Sequence, residues 1–215
     1  MTEIPHAYIR AALGSREPVL EDILRSSLLD HRMPTIQVDD NAGRVLQLLT
    51  MLRRPQRVVE VGTLFGYSTI FIARGLPEGA RMTTIEIDPK AAELARTNLA
   101  RAGLADRVEV VVGDAADHLS TIEPESVGMI FIDADKVSYV RYLKLCFPLL
   151  EPEGLLIADD AFAGGDFSPD RPGTEEDGRE AESIRTYAAA VGRSPRLFSC
   201  FVGTRHGLLV SWKRA

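Results

Sequence analysis

Asp133-Ala134-Asp135-Lys136 directly follows the apolar run Met129-Ile130-Phe131-Ile132, which brings two carboxylates and a lysine together where a strand of an open sheet would end. A second carboxylate pair, Asp159-Asp160, follows the apolar run Leu155-Leu156-Ile157-Ala158. Carboxylates at two neighbouring strand ends can share one hard divalent cation, because such ions prefer oxygen ligands and accept water or substrate oxygens beside them. A lysine next to such an ion points to chemistry on an ionisable hydroxyl. The cation lowers the hydroxyl's pKa, and the amine is placed to take the proton.

A third constellation lies earlier, in Glu60-Val61-Gly62-Thr63-Leu64-Phe65-Gly66-Tyr67-Ser68, where a glycine-bearing turn joins a strand to a helix. Glycine lets a ligand approach the backbone at the carboxyl end of a sheet. The spacing of Gly62 and Gly66 does not match GxGxxG, so the glycine triplet that cradles a pyrophosphate is missing. A nicotinamide-dependent oxidoreductase is therefore disfavoured. Glu86, at the end of a second strand, can accept hydrogen bonds from ribose hydroxyls, and Asp114 in Gly113-Asp114-Ala115 can reach an adenine amino group. Glu60 would face the cationic end of an amino-acid tail. Any one of these acids alone reads equally well as a helix cap or a solvated turn residue. Three at successive strand ends favour an adenosine ligand without a pyrophosphate.

The elements that must position these groups are legible as short Val/Ile-rich runs alternating with helix-like segments. Strands are expected at Arg57 to Val61, Met82 to Ile87, Val108 to Val112, Val127 to Ile132 and Leu155 to Ala158. Two further runs, Arg196 to Val202 and Gly207 to Trp212, flank a short Gly-containing stretch and read as an antiparallel hairpin, giving seven strands. Residues 91–99 carry a crossover helix with Pro89 in its first turn. The first 55 or so residues have helical periodicity, including a helix over 41–49 entered from Asp39-Asp40, and would cap the active face or pair subunits. Residues 159–178, rich in Gly, Asp and Pro, form a long irregular loop that starts at the proposed cation ligands, as functional loops often do.

Composition narrows the function classes. The 215 residues, 45% of them hydrophobic, suffice for one α/β domain, and the charge of −6, from 31 acidic against 25 scattered basic residues, leaves no footprint for nucleic acid. No apolar stretch approaches the roughly 20 residues that span a bilayer, and Met1-Thr2-Glu3-Ile4-Pro5-His6 has no leader pattern, so no membrane partner and a cytoplasmic location are expected. Cys146 and Cys200 sit in apolar settings without CxxC spacing and read as buried core thiols. His6, His31, His118 and His206 form no ligand motif, and each reads as a surface or packing residue. A lone Lys136 would read as a surface lysine starting a helix, and Tyr139 and Tyr142 as packing residues. Phe162, Phe167 and Trp212 could wall an aromatic acceptor or simply belong to the core.

Taken together, Val59-Glu60-Val61-Gly62-Thr63, Gly66-Tyr67-Ser68, Thr84-Ile85-Glu86-Ile87-Asp88, Gly113-Asp114-Ala115, Phe131-Ile132-Asp133-Ala134-Asp135-Lys136 and Ile157-Ala158-Asp159-Asp160 resemble the cation-dependent catechol and caffeoyl-CoA type O-methyltransferases. The resemblance extends from about Gln37 to the C-terminus. It implies an α/β fold with a Rossmann-like, seven-stranded, mostly parallel sheet, helices on both faces and a C-terminal antiparallel hairpin. Residues 1–215 would form one S-adenosylmethionine-dependent methyltransferase domain, with 1–55 as a helical cap and 56–215 as the core. Val38, Glu60, Gly62, Thr63, Tyr67, Ser68, Glu86, Gly113, Asp114, Ala115 and Asp133 would bind S-adenosylmethionine. Asp133, Asp159 and Asp160 would hold Mg2+ or another divalent cation, and Lys136 would be the catalytic base. The implied acceptor is a small aromatic molecule with a catechol-like or other phenolic hydroxyl, and the implied assembly a homodimer through the N-terminal helices. Methylation of a nitrogen or a non-catechol hydroxyl on the same fold, and a non-catalytic S-adenosylmethionine-binding protein, are the alternatives.

Two departures from the family pattern stand out. The family commonly has Asn after its second metal Asp, whereas this chain has Asp160, which adds a negative charge to the site. Its terminal hairpin often carries Gly-Asp-Gly near the acceptor, whereas the corresponding stretch here is Gly203-Thr204-Arg205-His206-Gly207, which leaves the identity of the acceptor open.

Overall fold

Valine and isoleucine run almost unbroken through the central segments, and a strand that is apolar on both faces must be covered on both. The computed structural model describes residues 6–162 and 175–215. In it β1 (Arg57–Val61), β2 (Arg81–Glu86), β3 (Val108–Val112), β4 (Val127–Ile132) and β5 (Leu150–Ala158) are parallel, and β6 (Leu197–Val202) and β7 (Leu208–Lys213) form a hairpin that joins β5 antiparallel through β7. The sheet order is β3-β2-β1-β4-β5-β7-β6.

Successive strand side chains leave on opposite faces. Val58, Met129, Phe131 and Ile157 enter a core shared with α2 (Pro18–Arg25), α3 (Asp40–Arg53), α4 (Tyr67–Gly75) and α5 (Pro89–Arg101). Val59, Val61, Ile130, Ile132 and Leu156 enter a second core, under α6 (Ala115–Leu119), α7 (Tyr139–Leu149) and α8 (Glu175–Gly192). From the centre of the sheet the chain winds outward in both directions, β1 to β3 on one side and β4 to β5 on the other. Ligands of such sheets bind at the carboxyl ends of the two strands where the winding reverses, here β1 and β4.

Local signals explain the helix starts. Asp39 caps α3, its Oδ1 accepting from the amides of Asn41 and Ala42 at 2.7 and 3.0 Å. Asp88 caps α5 through the Lys90 amide at 2.9 Å, with Pro89 in the first turn, where its missing N–H costs nothing. α3 is more than a cap on the active face. It packs flat on α4, and the absence of a side chain at Gly43 makes this possible, since a Cβ there would sit 2.5 Å from the Phe71 ring. A short helix, α1 (His6–Leu13), precedes α2. Among the described residues no helix is long and apolar enough to cross a membrane.

The structure corrects two expectations. β5 begins at Leu150 rather than Leu155, because Pro152 and Gly154, which punctuate the sequence like a turn, lie in the early part of the strand where its register against β4 shifts. Cys146 is buried, but Cys200 is exposed, since it lies on β6, the outer strand of the sheet.

Candidate functional site

The ladder continues one residue past the strands and sets the geometry of the site. The Asp133 amide donates to the Val61 carbonyl at 2.8 Å, and the Asp159 amide donates to the Ile132 carbonyl at 3.0 Å. Gly62, Asp133 and Asp159 are thereby brought side by side at three adjacent strand ends. Only glycine fits at position 62: its φ is +93°, and a Cβ would stand 2.0 Å from the Asp133 carbonyl oxygen.

Asp133, Asp159 and Asp160 each present a carboxylate oxygen within 4.8 Å of the others. Lys136, in the short 3-10 turn before α7, does not start a helix on the surface. It turns back, placing Nζ 3.0 Å from Asp133 Oδ1, 2.7 Å from Asp160 Oδ2 and 3.2 Å from the Tyr139 hydroxyl. Burial, opposed by Lys136 and reinforced by Asp160, pushes the Asp133 carboxyl up. Asp159 is driven well up by burial and by the charges of Asp133 and Asp160. Burial disfavours the Lys136 ammonium, but Tyr139, Asp133 and Asp160 outweigh it and hold its pKa above that of an ordinary lysine. An ammonium thus sits among three acids that repel one another. Three hard oxygen donors around a position already favourable to a cation fit Mg2+ or a similar ion.

From this cluster a cleft of about 760 Å³ runs along the strand ends. Of the residues expected to bind a cofactor, Val38, Gly62, Thr63, Tyr67, Ser68, Glu86, Gly113, Asp114, Ala115 and Asp133 line it. Glu60 does not. It is fully buried below the β1–α4 turn, where its carboxylate accepts from Ser68 Oγ at 2.7 Å, Thr69 Oγ1 at 2.5 Å and Thr84 Oγ1 at 2.7 Å. Glu60 therefore braces the wall of the cleft rather than facing a ligand, and burial raises its pKa to about 7. Glu86 Oε2 accepts from the amides of Thr63 and Leu64 at 3.1 and 2.7 Å, and Asp114 caps α6 through the Ala116 amide at 2.7 Å. Asp114 thus caps a helix through one oxygen and lines the cleft at the same time.

Other cleft residues were not among the expected ligand-binding positions. Gln37 arrives from the irregular segment before α3, Arg141 and Glu180 from α7 and α8, and Arg205 and His206 from the β6–β7 loop, and only tertiary structure gathers them. His206 is not the bland residue expected: its Nδ1 lies 3.3 Å from Asp160 Oδ1. The available signals were the unusual Asp160 and the departure from the family pattern at 203–207. Tyr139 does more than pack, since its buried hydroxyl donates to the Asp159 carbonyl at 3.1 Å. The Tyr142 hydroxyl donates to Asp135 at 2.8 Å, which gives Asp135 a structural role. Phe162 stacks on Phe201 with ring centres 5.9 Å apart, and neither it nor Trp212 lines the cleft. Phe167 lies outside the described residues.

The chain is similar to known proteins in sequence and fold. A family model described as O-methyltransferase matches residues 12–214. The chain is 42% identical over 161 residues to the catechol O-methyltransferase of Niastella koreensis, covering 74% of this chain and 72% of that protein. It is 37% identical over 198 residues to the catechol O-methyltransferase of Mycobacterium tuberculosis, covering 92% of this chain and 87% of that one. Among solved structures, the O-methyltransferase from Bacillus cereus in complex with SAH superposes with a TM-score of 0.85 at 31% identity, covering 97% of this chain and 96% of that one.

Proposed function

The chain belongs to the O-methyltransferase family, and from that premise we propose that it methylates a hydroxyl of a small catechol-like or other phenolic acceptor, using S-adenosylmethionine and a divalent cation held by Asp133, Asp159 and Asp160. One observation carries the reading: the three carboxylates and Lys136 converge at one side of a cleft whose remaining wall is built from the strand-end residues Gly62, Glu86 and Asp114. S-adenosylmethionine supplies an electrophilic methyl group on sulfur and departs as S-adenosylhomocysteine. A divalent cation supplies Lewis-acid charge that lowers the pKa of an acceptor hydroxyl.

The chain's own residues do the rest. Glu86 and Asp114 offer carboxylate oxygens to the ribose hydroxyls and the adenine amine, while Gly62 lets the cofactor lie against the backbone. Ser68, which lines the cleft, is held in place by donating its Oγ–H to the buried Glu60 at 2.7 Å. Lys136 keeps its proton while three carboxylates surround it. A divalent ion held by Asp133, Asp159 and Asp160 would neutralise the carboxylates that hold that proton and so lower the lysine's pKa, and the role of Lys136 is to take the proton of the acceptor hydroxyl at Nζ. Tyr139 fixes the lysine's approach by bonding both Nζ and the Asp159 carbonyl.

The test is a methyl-donor assay against catechols, other phenols and amines, with chelator and with added Mg2+. Methylated catechol or phenol that disappears with chelator and returns with Mg2+ is the expected result. Activity indifferent to chelator, or confined to amines, would overturn it. We also propose that the chain works as a homodimer through its N-terminal helices. α3 turns Leu48, Met51 and Leu52 to solvent at 54%, 54% and 71% exposure, an apolar stripe at helical spacing. Sedimentation of the wild type against Leu48→Glu/Leu52→Glu, expected to be monomeric, checks this.

A further inference from the structure

The two departures from the family pattern meet in space. Asp160 stands where the family commonly has asparagine, and His206 lies in the stretch where the family often has Gly-Asp-Gly. His206 Nδ1 is 3.3 Å from Asp160 Oδ1, just beyond the usual N–H···O distance. A small rotation of the imidazole, whose side chain is 38% exposed, closes the gap. Both partners are held from behind. Asp160 leaves β5 with φ +53°, and its other oxygen, Oδ2, is 2.7 Å from Lys136 Nζ. The backbone of the hairpin loop is tied to the same segment, with the Ala161 amide donating to the Gly207 carbonyl at 3.0 Å and the Phe162 amide to the His206 carbonyl at 3.1 Å. From the other side the Arg205 amide donates to Asp39 Oδ2 at 2.7 Å, fixing the loop to the start of α3.

Hydrogen-bond polarity accounts for a donor standing beside Asp160. An asparagine offers one acceptor and one donating NH2, so when its oxygen faces a cation its other end calls for an acceptor. An aspartate offers acceptors at both ends and calls for a donor. An imidazole with its proton on Nδ1 is such a donor, in the neutral ring as in the charged one. Among the described residues His206 is not part of the cluster of potential ligand atoms, which comprises Asp133, Asp159 and Asp160. Resting on the reading of that cluster as a cation site, we infer that His206 is a positioning residue for Asp160. It holds Oδ1 away from the centre and leaves Oδ2 directed at the position that Lys136 Nζ now faces.

The experiment reads cation affinity rather than turnover. Chelator-treated full-length protein is titrated with Mg2+, and separately Mn2+, by calorimetry, for the wild type, His206→Ala, His206→Asn, Asp160→Asn and the double variant Asp160→Asn/His206→Ala. His206→Ala is expected to weaken Mg2+ binding by about tenfold, as loss of a partner that orients a metal ligand does. His206→Asn, whose amide nitrogen falls near the place of Nδ1, is expected to stay within about threefold of wild type, because the donor is kept. In the Asp160→Asn background the His206→Ala change is expected to cost less than about twofold, since the two residues act as one unit. Wild-type affinity in His206→Ala, or the same loss in both backgrounds, would overturn the inference alone. No saturable binding of either ion to the wild type would overturn the cation reading and the inference with it.

Discussion

Lys136 meets two opposed demands. Contacts of 3.0 Å to Asp133 and 2.7 Å to Asp160 keep its proton on, whereas a general base must have shed it. Its role therefore depends on what shares the site, and the two halves can be separated by substitution. Lys136→Ala is expected to lower kcat by about two to four orders of magnitude, the usual worth of a positioned base, while S-adenosylhomocysteine affinity measured by calorimetry stays close to wild type. Asp159→Ala is expected to abolish the cation-dependent activity. Unchanged turnover in both variants would sink the proposed chemistry. Glu60 presents a different case, because its pKa of about 7 against 4.5 in the unfolded chain arises first from burial, opposed by the hydroxyls of Thr69, Thr84 and Ser68. The folded state holds this proton more tightly, so the contribution to stability is fully present below 4.5 and is lost as pH rises through about 7. Glu60→Gln removes the titration but keeps the shape and the hydroxyl partners. Relative to wild type, its unfolding free energy is expected to gain about 2 to 3 kcal/mol between pH 5 and pH 8, followed by urea denaturation at a series of pH values. A constant difference across that range would show that Glu60 is ionised throughout.

At the scale of elements, what could be read from the sequence was whatever a single strand and its following turn decide. Val58, Val59 and Val61, and Met129 to Ile132, put apolar side chains on both faces, so their strands had to be central, and the acids and glycines just beyond them had to fall on one edge of the sheet. That places Gly62, Glu86, Asp114 and Asp133 on the cleft wall without knowledge of any contact. Glu60 escaped the same reasoning because it is the last but one residue of β1, and its side chain points to the α4 face instead of the strand end. The start of β5 was hidden by Pro152 and Gly154, which signal a turn in sequence but lie within a strand whose register shifts. His206 could not be paired with Asp160, since their contact depends on the antiparallel register of β5 against β7, with Ala158 opposite Leu209. The β1–α4 turn is the element where sequence and geometry agree most closely. Gly62→Ala would drive a methyl group into the Asp133 carbonyl, 2.0 Å from the ideal Cβ, at a backbone φ of +93° that disfavours alanine. Two strand ends would have to separate. S-adenosylhomocysteine affinity is expected to fall more than about tenfold and stability by about 1 to 3 kcal/mol, through strain at a positive-φ site, measured by calorimetry and thermal unfolding. Gly113→Ala separates the two costs, since its φ of +150° also disfavours alanine but nothing lies within 4 Å of its would-be Cβ.

At the scale of the whole molecule, the sheet's reversal point collects residues from nearly the full length of the chain, from Val38 ahead of α3 to His206 in the last hairpin. The site is then closed by ties between the two ends of the chain, such as Asp39 with the Arg205 amide at 2.7 Å. Charge concentrated at such a junction must affect the stability of the fold as well as the chemistry. Three carboxylates face one ammonium, and burial together with mutual repulsion pushes Asp133 and Asp159 up, so the folded state without a cation carries an electrostatic penalty that the unfolded chain does not. An ion that binds only the folded state relieves it by mass action, contributing about 2.7 kcal/mol at a hundredfold excess over its dissociation constant. For a chain of this size that corresponds to a rise in Tm of about 5 to 10 °C. Mg2+ added to chelator-treated wild type is expected to raise the thermal midpoint by this amount in a saturable way, while an equal ionic strength of NaCl is not. Asp159→Ala is expected to start from a midpoint no lower than the metal-free wild type, because removing one acid lessens the repulsion, and to gain nothing from Mg2+. A wild-type midpoint indifferent to Mg2+, or an equal gain in Asp159→Ala, would mean that the acidic junction is balanced by Lys136 and His206 alone.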